Sequence, residues 1–185
     1  SAKKKYASLA FAESSRYDSL ISQYLDNNAQ MGLQLGFAVS NPLRYGENPH
    51  QQASFYGDFG KSFEQVSGKP VSYNNILDID AAVALMYGID DPGFAIIKHT
   101  NVCGMALRDN ARDAFEAALA GDTVSAFGGV IIANRPISAD TAEVIHPLFF
   151  EVLISPGYTP EAFELLSTKK NRILLRQKSD IKPGP

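Results

Sequence analysis

Residues 94–104 read FAIIKHTNVCG, and the way this run ends decides how the chain is built. Phe94–Ile97 is a short, continuous apolar segment, the pattern of a strand covered on both faces. It ends by setting Lys98 and His99 side by side, just before Asn101 and Gly104, residue types that favour a turn. An ammonium and an imidazole are expensive to hold near a core. Either the strand frays there, or it delivers both groups to a site. Neighbours on an extended strand point to opposite sides, so one site can use both only where the chain turns.

Working outward, the apolar runs FAII, GVIIA, EVLIS and RILL alternate with helical stretches at about 109–120, 138–146 and 160–168. Ser138 and Thr159 are good N-caps and Pro160 fits the first helical position. Short strands alternating with helices predict an α/β fold, a sheet flanked by helices on both faces. Upstream, Asn74–Tyr87 reads as a helix carrying Ala82, Val83, Leu85 and Met86, and Gly32–Ser40 alternates as a half-buried strand. Arg16–Asn27 places Tyr17, Leu20, Ile21, Tyr24 and Leu25 on one helical face, with Ser15 and Asp18 at capping-box spacing.

The chain has 185 residues, 45% hydrophobic and 20% charged, a globular composition. Its net charge of −3 argues against a broad nucleic-acid surface, while leaving room for a local anion pocket. With Cys103 as the one cysteine, an intramolecular disulfide and a multi-thiolate site are excluded. No apolar stretch reaches the length of a membrane span. Lys3–Lys5 precede a short apolar run broken by Ser8. That is too weak for a signal peptide, and a cytoplasmic location is expected.

Several segments carry candidate chemistry. Histidine exchanges protons near neutral pH and an ammonium stabilises developing negative charge, so Lys98-His99 can serve as a reactive pair or, alternatively, as a snorkelling lysine beside a hydrogen-bonded histidine. His99 and Cys103 alone do not make a zinc site. The H-x-E and P-C-x-x-C pattern of zinc deaminases is absent, because residue 101 is Asn and there is no second cysteine. LRYGENPHQ (43–51) combines Arg44, Tyr45 and Gly46: a guanidinium grips phosphate with two donors, a phenol stacks on a ring, and glycine permits close approach. The alternative is a polar surface turn. SAFGG (125–129) matches no P-loop or dinucleotide fingerprint. It reads as tight packing before a strand or as backbone contact to a flat ligand. Asn75 and Asp78 of NNILDID read as caps of the following helix.

The order LRYGENPHQ, NNILDIDAA, IIKHTNVCG, DTVSAFGGVIIANR and FFEVLISPGYTPEAFELLSTKKNRILL, over roughly residues 15–176, closely resembles the AICAR transformylase domain of the bifunctional purine-biosynthesis family that also carries IMP cyclohydrolase. The resemblance implies a mixed sheet flanked by helices on both faces, a cytidine-deaminase-like three-layer sandwich without the zinc. It implies formyl transfer from 10-formyltetrahydrofolate to the 5-amino group of aminoimidazole carboxamide ribonucleotide (AICAR), with no metal, in an intertwined homodimer. The chain corresponds to the first transformylase subdomain at 15–176, with an N-terminal extension at 1–14 and a linker or truncated end at 177–185. The second subdomain and the cyclohydrolase domain are the expected partners. Matched motif by motif, Lys98 and His99 are the catalytic pair, Arg44 and Tyr45 bind substrate, and Asn75, Gly128 and Glu151 are further substrate contacts. Val102 stands where many relatives carry proline, which would stiffen the turn. Two other readings are an isolated nucleotide-binding or dimerisation subdomain without turnover, and a zinc-free relative of deaminase-type hydrolases.

Overall fold

Runs such as GVIIA and VLIS hold almost no polar side chain, so they are satisfied only as strands covered on both faces. In the computed structural model they form the parallel centre of a mixed sheet. Residues 2–25, 40–43 and 45–178 are described, and the chain divides into two units, 1–40 and 41–185.

The first unit holds helix α1 (Ala2–Leu25), which buries none of its residues. It begins well before the expected Arg16, because residues 2–15 are rich in Ala, Lys and Ser and contain no Gly or Pro to interrupt the turn pattern. A single helix therefore runs through position 14/15, where the extension was expected to end. The strand expected at 32–40 lies outside the described residues except for Ser40.

Strands β1 (Ser40–Pro42) and β2 (Ser54–Tyr56) pair as a small separate sheet. There follow α2 (Phe59–Ser62), β3 (Phe63–Ser67), α3 (Tyr73–Met86), β4 (Gly93–Lys98), β5 (Asn101–Leu107), α4 (Ala111–Leu119), β6 (Gly129–Ala133), α5 (Ala139–Ile145), β7 (Phe150–Ser155), α6 (Pro160–Ser167) and β8 (Ile173–Gln177). The main sheet runs β3-β8-β7-β6-β4-β5. Strands β6, β7 and β8 are parallel, and β4, β5 and β3 are antiparallel to their neighbours.

Alternation along the strands sends side chains to two cores. Phe94, Ile96, Ile131, Leu153 and Leu174 pack with Phe115, Ala118, Ile145 and Leu166 of α4, α5 and α6. Ala95, Ile97, Val130, Ile132, Val152, Ile154, Ile173 and Leu175 pack with Ile79, Ala82, Val83 and Met86 of α3. Helices thus cover both faces, as the alternating pattern predicts. Each fully buried Ile, Leu or Phe contributes about 1.5–3 kcal/mol, so these two layers dominate the folding energy. The helix at 74–87 and those after β5 fall within a residue or two of their expected bounds. Ser138 occupies the N-cap of α5 without a side-chain bond to the backbone, whereas the Thr159 hydroxyl accepts from Ala162 N–H.

Strands β3 and β5 were not anticipated. Both are sheet edges with mixed burial, so their polarity alternates weakly. Residues 101–104, expected to turn, already lie in β5. Gly104 is needed there for a different reason: a Cβ at this position would sit 1.9 Å from the Ala118 carbonyl oxygen of α4. Gly104→Ala is therefore expected to push β5 off α4 and destabilise the fold by about 1–3 kcal/mol, read as a lower urea midpoint. An unchanged midpoint would show that this close approach is not required.

Candidate active site

Strand β4 delivers Lys98 and His99 to a two-residue reverse turn. Lys98 pairs with Asn101 across the β4–β5 ladder, leaving His99 (φ 51°) and Thr100 (φ 61°) as the turn residues, both left-handed. Such a turn matches strand twist but normally takes Asn or Gly. For non-glycine residues the left-handed region costs about 1–3 kcal/mol each, and it persists only where the surroundings over-determine it. Here they do. The Thr100 amide donates to Asp78 Oδ1 of α3 at 2.7 Å, and the Thr100 hydroxyl and the Asn101 side-chain amide both donate to the His99 carbonyl, at 2.7 and 2.8 Å. The chain does turn, as a shared use of both side chains requires.

The two side chains then take different positions. Lys98 is half-buried and its Nζ donates to the Phe127 carbonyl at 2.7 Å. His99 is exposed at the tip. The carbonyl belongs to the 121–128 turn, which Asp122 organises by accepting the amides of Val124 and Ser125, at 3.1 and 2.8 Å. Gly128 closes this turn at φ 76°, a conformation that favours glycine, and its amide donates to the Phe149 carbonyl at 2.8 Å. The exposed rings of Phe127 and Phe149 lie 5.1 Å apart, an apolar wall beside the lysine's partner carbonyl.

Topology brings Glu151 to the same end of the sheet. Because β4 is antiparallel to β6, with Ile97 opposite Val130, the end of β4 lies beside the starts of β6 and β7. Glu151 falls where the register slips between the Gly129–Phe150 and Val130–Val152 pairs. Cys103 falls at a similar slip, between the Ile96–Gly104 and Ile97–Val102 pairs. Bulges of this kind re-aim side chains at strand ends. Glu151 is ion-paired to Lys69 at 2.7 Å, a lysine that the sequence reading did not single out.

Arg44 lies outside the described residues. Tyr45 is half-buried in a loop that closes on itself through Leu43 N–H to the Ala53 carbonyl and Gly46 N–H to the Gln51 carbonyl. Asn75 is buried and forms a reciprocal capping box with Ser72, so its side-chain oxygen holds the start of α3. Asp78, expected to cap the same helix, is half-buried one turn further on and holds Thr100 instead. The clue was present: Asp78 follows Asn75 at helical spacing and precedes the core residue Ile79. Phe127 and Phe149 were also missed, because exposed aromatics in a small-residue turn carry no periodic signal.

Among the described residues, no three of His, Cys, Asp and Glu gather closely enough to hold a metal ion, and no helix is long and apolar enough to cross a membrane. A cavity of about 650 Å³ lies at the opposite end of the sheet, lined by Met86, Asn134, Arg135 and Lys178. Asn134 there is committed to the Ile89 and Asp91 carbonyls at 2.9 and 2.7 Å.

A family model described as AICARFT/IMPCHase bienzyme matches residues 1–184. The bifunctional purine biosynthesis protein PurH of Bacteroides thetaiotaomicron is 50% identical over 169 residues, covering 91% of this chain and 33% of that protein. PurH of Chloroflexus aurantiacus is 45% identical over 180 residues, covering 95% and 35%. The chain thus spans about a third of the length of the curated relatives it matches. Among solved structures, a dCMP deaminase from the cyanophage S-TIM5 superposes at a TM-score of 0.41 and 12% identity, over 57% of this chain and 98% of that one.

The environment of Cys103 supplies a test of the site's electrostatics. Burial pushes its thiol above the ordinary value, the Asp122 and Asp78 carboxylates push the same way, and Lys98 opposes them. Hydrogen bonds from Ser125, chiefly its amide, hold the Asp122 carboxyl below the usual range, with Lys98 adding to this, so it is ionised when the thiol titrates. Thiolate is therefore less populated in the folded chain than in the denatured one. Alkylation of Cys103 by iodoacetamide should be slower in the folded chain than in the denatured one. Asp122→Asn keeps the acceptor but removes the opposing charge, and should speed the reaction. Equal rates in all three samples would contradict this account.

Proposed function

This chain belongs to the AICARFT/IMPCHase bienzyme family, and on that premise we propose that it carries the Lys-His half of a formyl-transfer site acting in purine biosynthesis. In this reading residues 15–176 are the first transformylase subdomain, and the second subdomain, the cyclohydrolase domain and a second copy complete the working enzyme. The observation that carries the proposal is the His99–Thr100 reverse turn. It sets an ammonium and an imidazole from consecutive positions at one sheet end, beside the Gly128 turn and Glu151.

The reaction asks for what these groups supply. The 5-amino group of AICAR is conjugated into an electron-poor ring and is a weak nucleophile. As its nitrogen bonds to the formyl carbon of 10-formyltetrahydrofolate, it must lose a proton, and the exposed His99 imidazole is the base. The carbonyl becomes an oxyanion, which the Lys98 ammonium stabilises as a preorganised donor. Collapse breaks the bond to the folate N10, which leaves with a proton returned from this pair. Lys98 is already oriented by the Phe127 carbonyl, which limits the rearrangement needed when substrate enters. Arg44 would grip the ribonucleotide phosphate and Tyr45 its sugar or ring. Gly128, with no side chain, would let the base approach the backbone, and Glu151 and Asn75 would make further substrate contacts.

The test is made in the full-length bienzyme carrying this segment, with formyl transfer and cyclisation assayed separately. His99→Ala should lower formyl transfer by a factor on the order of 10² or more, with nucleotide affinity within a few-fold and cyclisation unchanged. Arg44→Ala should mainly weaken nucleotide binding. Loss of cyclisation with formyl transfer intact would assign this segment to the other activity of the family. Unaltered transfer in His99→Ala would end the histidine's role as base.

A further inference from the structure

We propose that Asp78 is the positioning residue for the Lys98-His99 turn. This rests on the formyl-transfer reading above and adds the device that aims its reactive pair.

The argument begins with an amide. In a two-residue hairpin turn the ladder closes between Lys98 and Asn101, so the Thr100 N–H has no partner within the hairpin, and at this exposed tip it is taken by a side chain from another element. Asp78 Oδ1 accepts it at 2.7 Å. The acceptor comes from α3, not from either strand of the hairpin. Thr100 is β-branched and held at φ 61°, where such a residue is a genuine outlier. The turn's internal bonds, from the Thr100 hydroxyl and the Asn101 amide to the His99 carbonyl, tighten it but do not orient it relative to the rest of the fold. Asp78 does.

The carboxylate is rigidly mounted. Its neighbour Ile79 is 3% exposed and sits in the core between α3 and the sheet, and one turn earlier the Ser72–Asn75 capping box fixes the helix start. A continuous chain of contacts thus runs from the buried cap through α3 and Asp78 to Thr100, and from there to the imidazole at the tip. On the other side, Lys98 is aimed by the Phe127 carbonyl. The two anchors set the two reactive groups independently.

The experiment has two readouts. In this chain, amide hydrogen exchange at Thr100 is followed in Asp78→Ala and Asp78→Asn. In the full-length bienzyme, formyl-transfer turnover and nucleotide affinity are measured for the same variants beside His99→Ala. Asp78→Ala should raise Thr100 exchange by roughly tenfold or more. It should lower turnover by about tenfold or more with nucleotide affinity within a few-fold, as misplacement of a reactive group does. Asp78→Asn retains an acceptor oxygen and should restore both. Should Asp78→Ala fold poorly, Thr100→Gly removes the left-handed penalty, and the double variant should fold and recover part of the turnover. Native exchange at Thr100 in Asp78→Ala would overturn the proposal, as would full turnover in that variant while His99→Ala is impaired. Unimpaired His99→Ala would overturn the formyl-transfer reading instead, and Thr100 exchange would still decide whether Asp78 holds the turn.

Discussion

The antiparallel seating of β4 against β6 is the constraint on which the site depends. Three parallel strands, β6, β7 and β8, would by themselves place loops of like kind at each end of the sheet. With Ile97 opposite Val130, the carboxyl end of β4 is laid against the amino end of β6, and that of β7 follows one strand further on. The ammonium on β4, the glycine turn before β6 and the bulged glutamate of β7 come together for that reason. Hydrogen bonding along buried strands makes the arrangement stiff, since a one-residue slip would reverse every side chain of β4 between the two cores.

On this frame the His99–Thr100 turn is held from outside itself. Left-handed His99 and Thr100 are unfavourable conformers, and their persistence depends on contacts from α3 and from the 121–128 turn. Both anchors are short hydrogen bonds to groups whose own positions are fixed by burial or by turn geometry. The bulges at Cys103 and Glu151 lie at the same sheet end. Local irregularity is concentrated there, whereas the opposite end, with the large cavity, is built from satisfied backbone and amide groups.

Much of this was legible in the residues. Continuous apolar runs marked β4, β6, β7 and β8, because strands covered on both faces tolerate no polar alternation. Caps and a helix-initial proline marked α6, and the change from apolar residues to Lys98-His99 marked the end of β4. The edge strands β3 and β5 were not legible, since a half-exposed edge has no strong period. Asn75 and Asp78 illustrate the boundary. Both looked like caps, and local chemistry made Asn75 one, but only packing of α3 under the β4–β5 hairpin could turn Asp78 towards Thr100.

The sequence by itself determined the layer order and set a lysine and a histidine side by side at the end of β4, because burial periodicity and side-chain chemistry are local properties of the chain. Tertiary structure alone decided that Lys98 would meet the Phe127 carbonyl, that Glu151 would reach the same sheet end, and that a threonine would stand in a left-handed turn. Those outcomes depend on strand direction, register and a hydrogen bond spanning 22 residues, none of which any short window of sequence encodes.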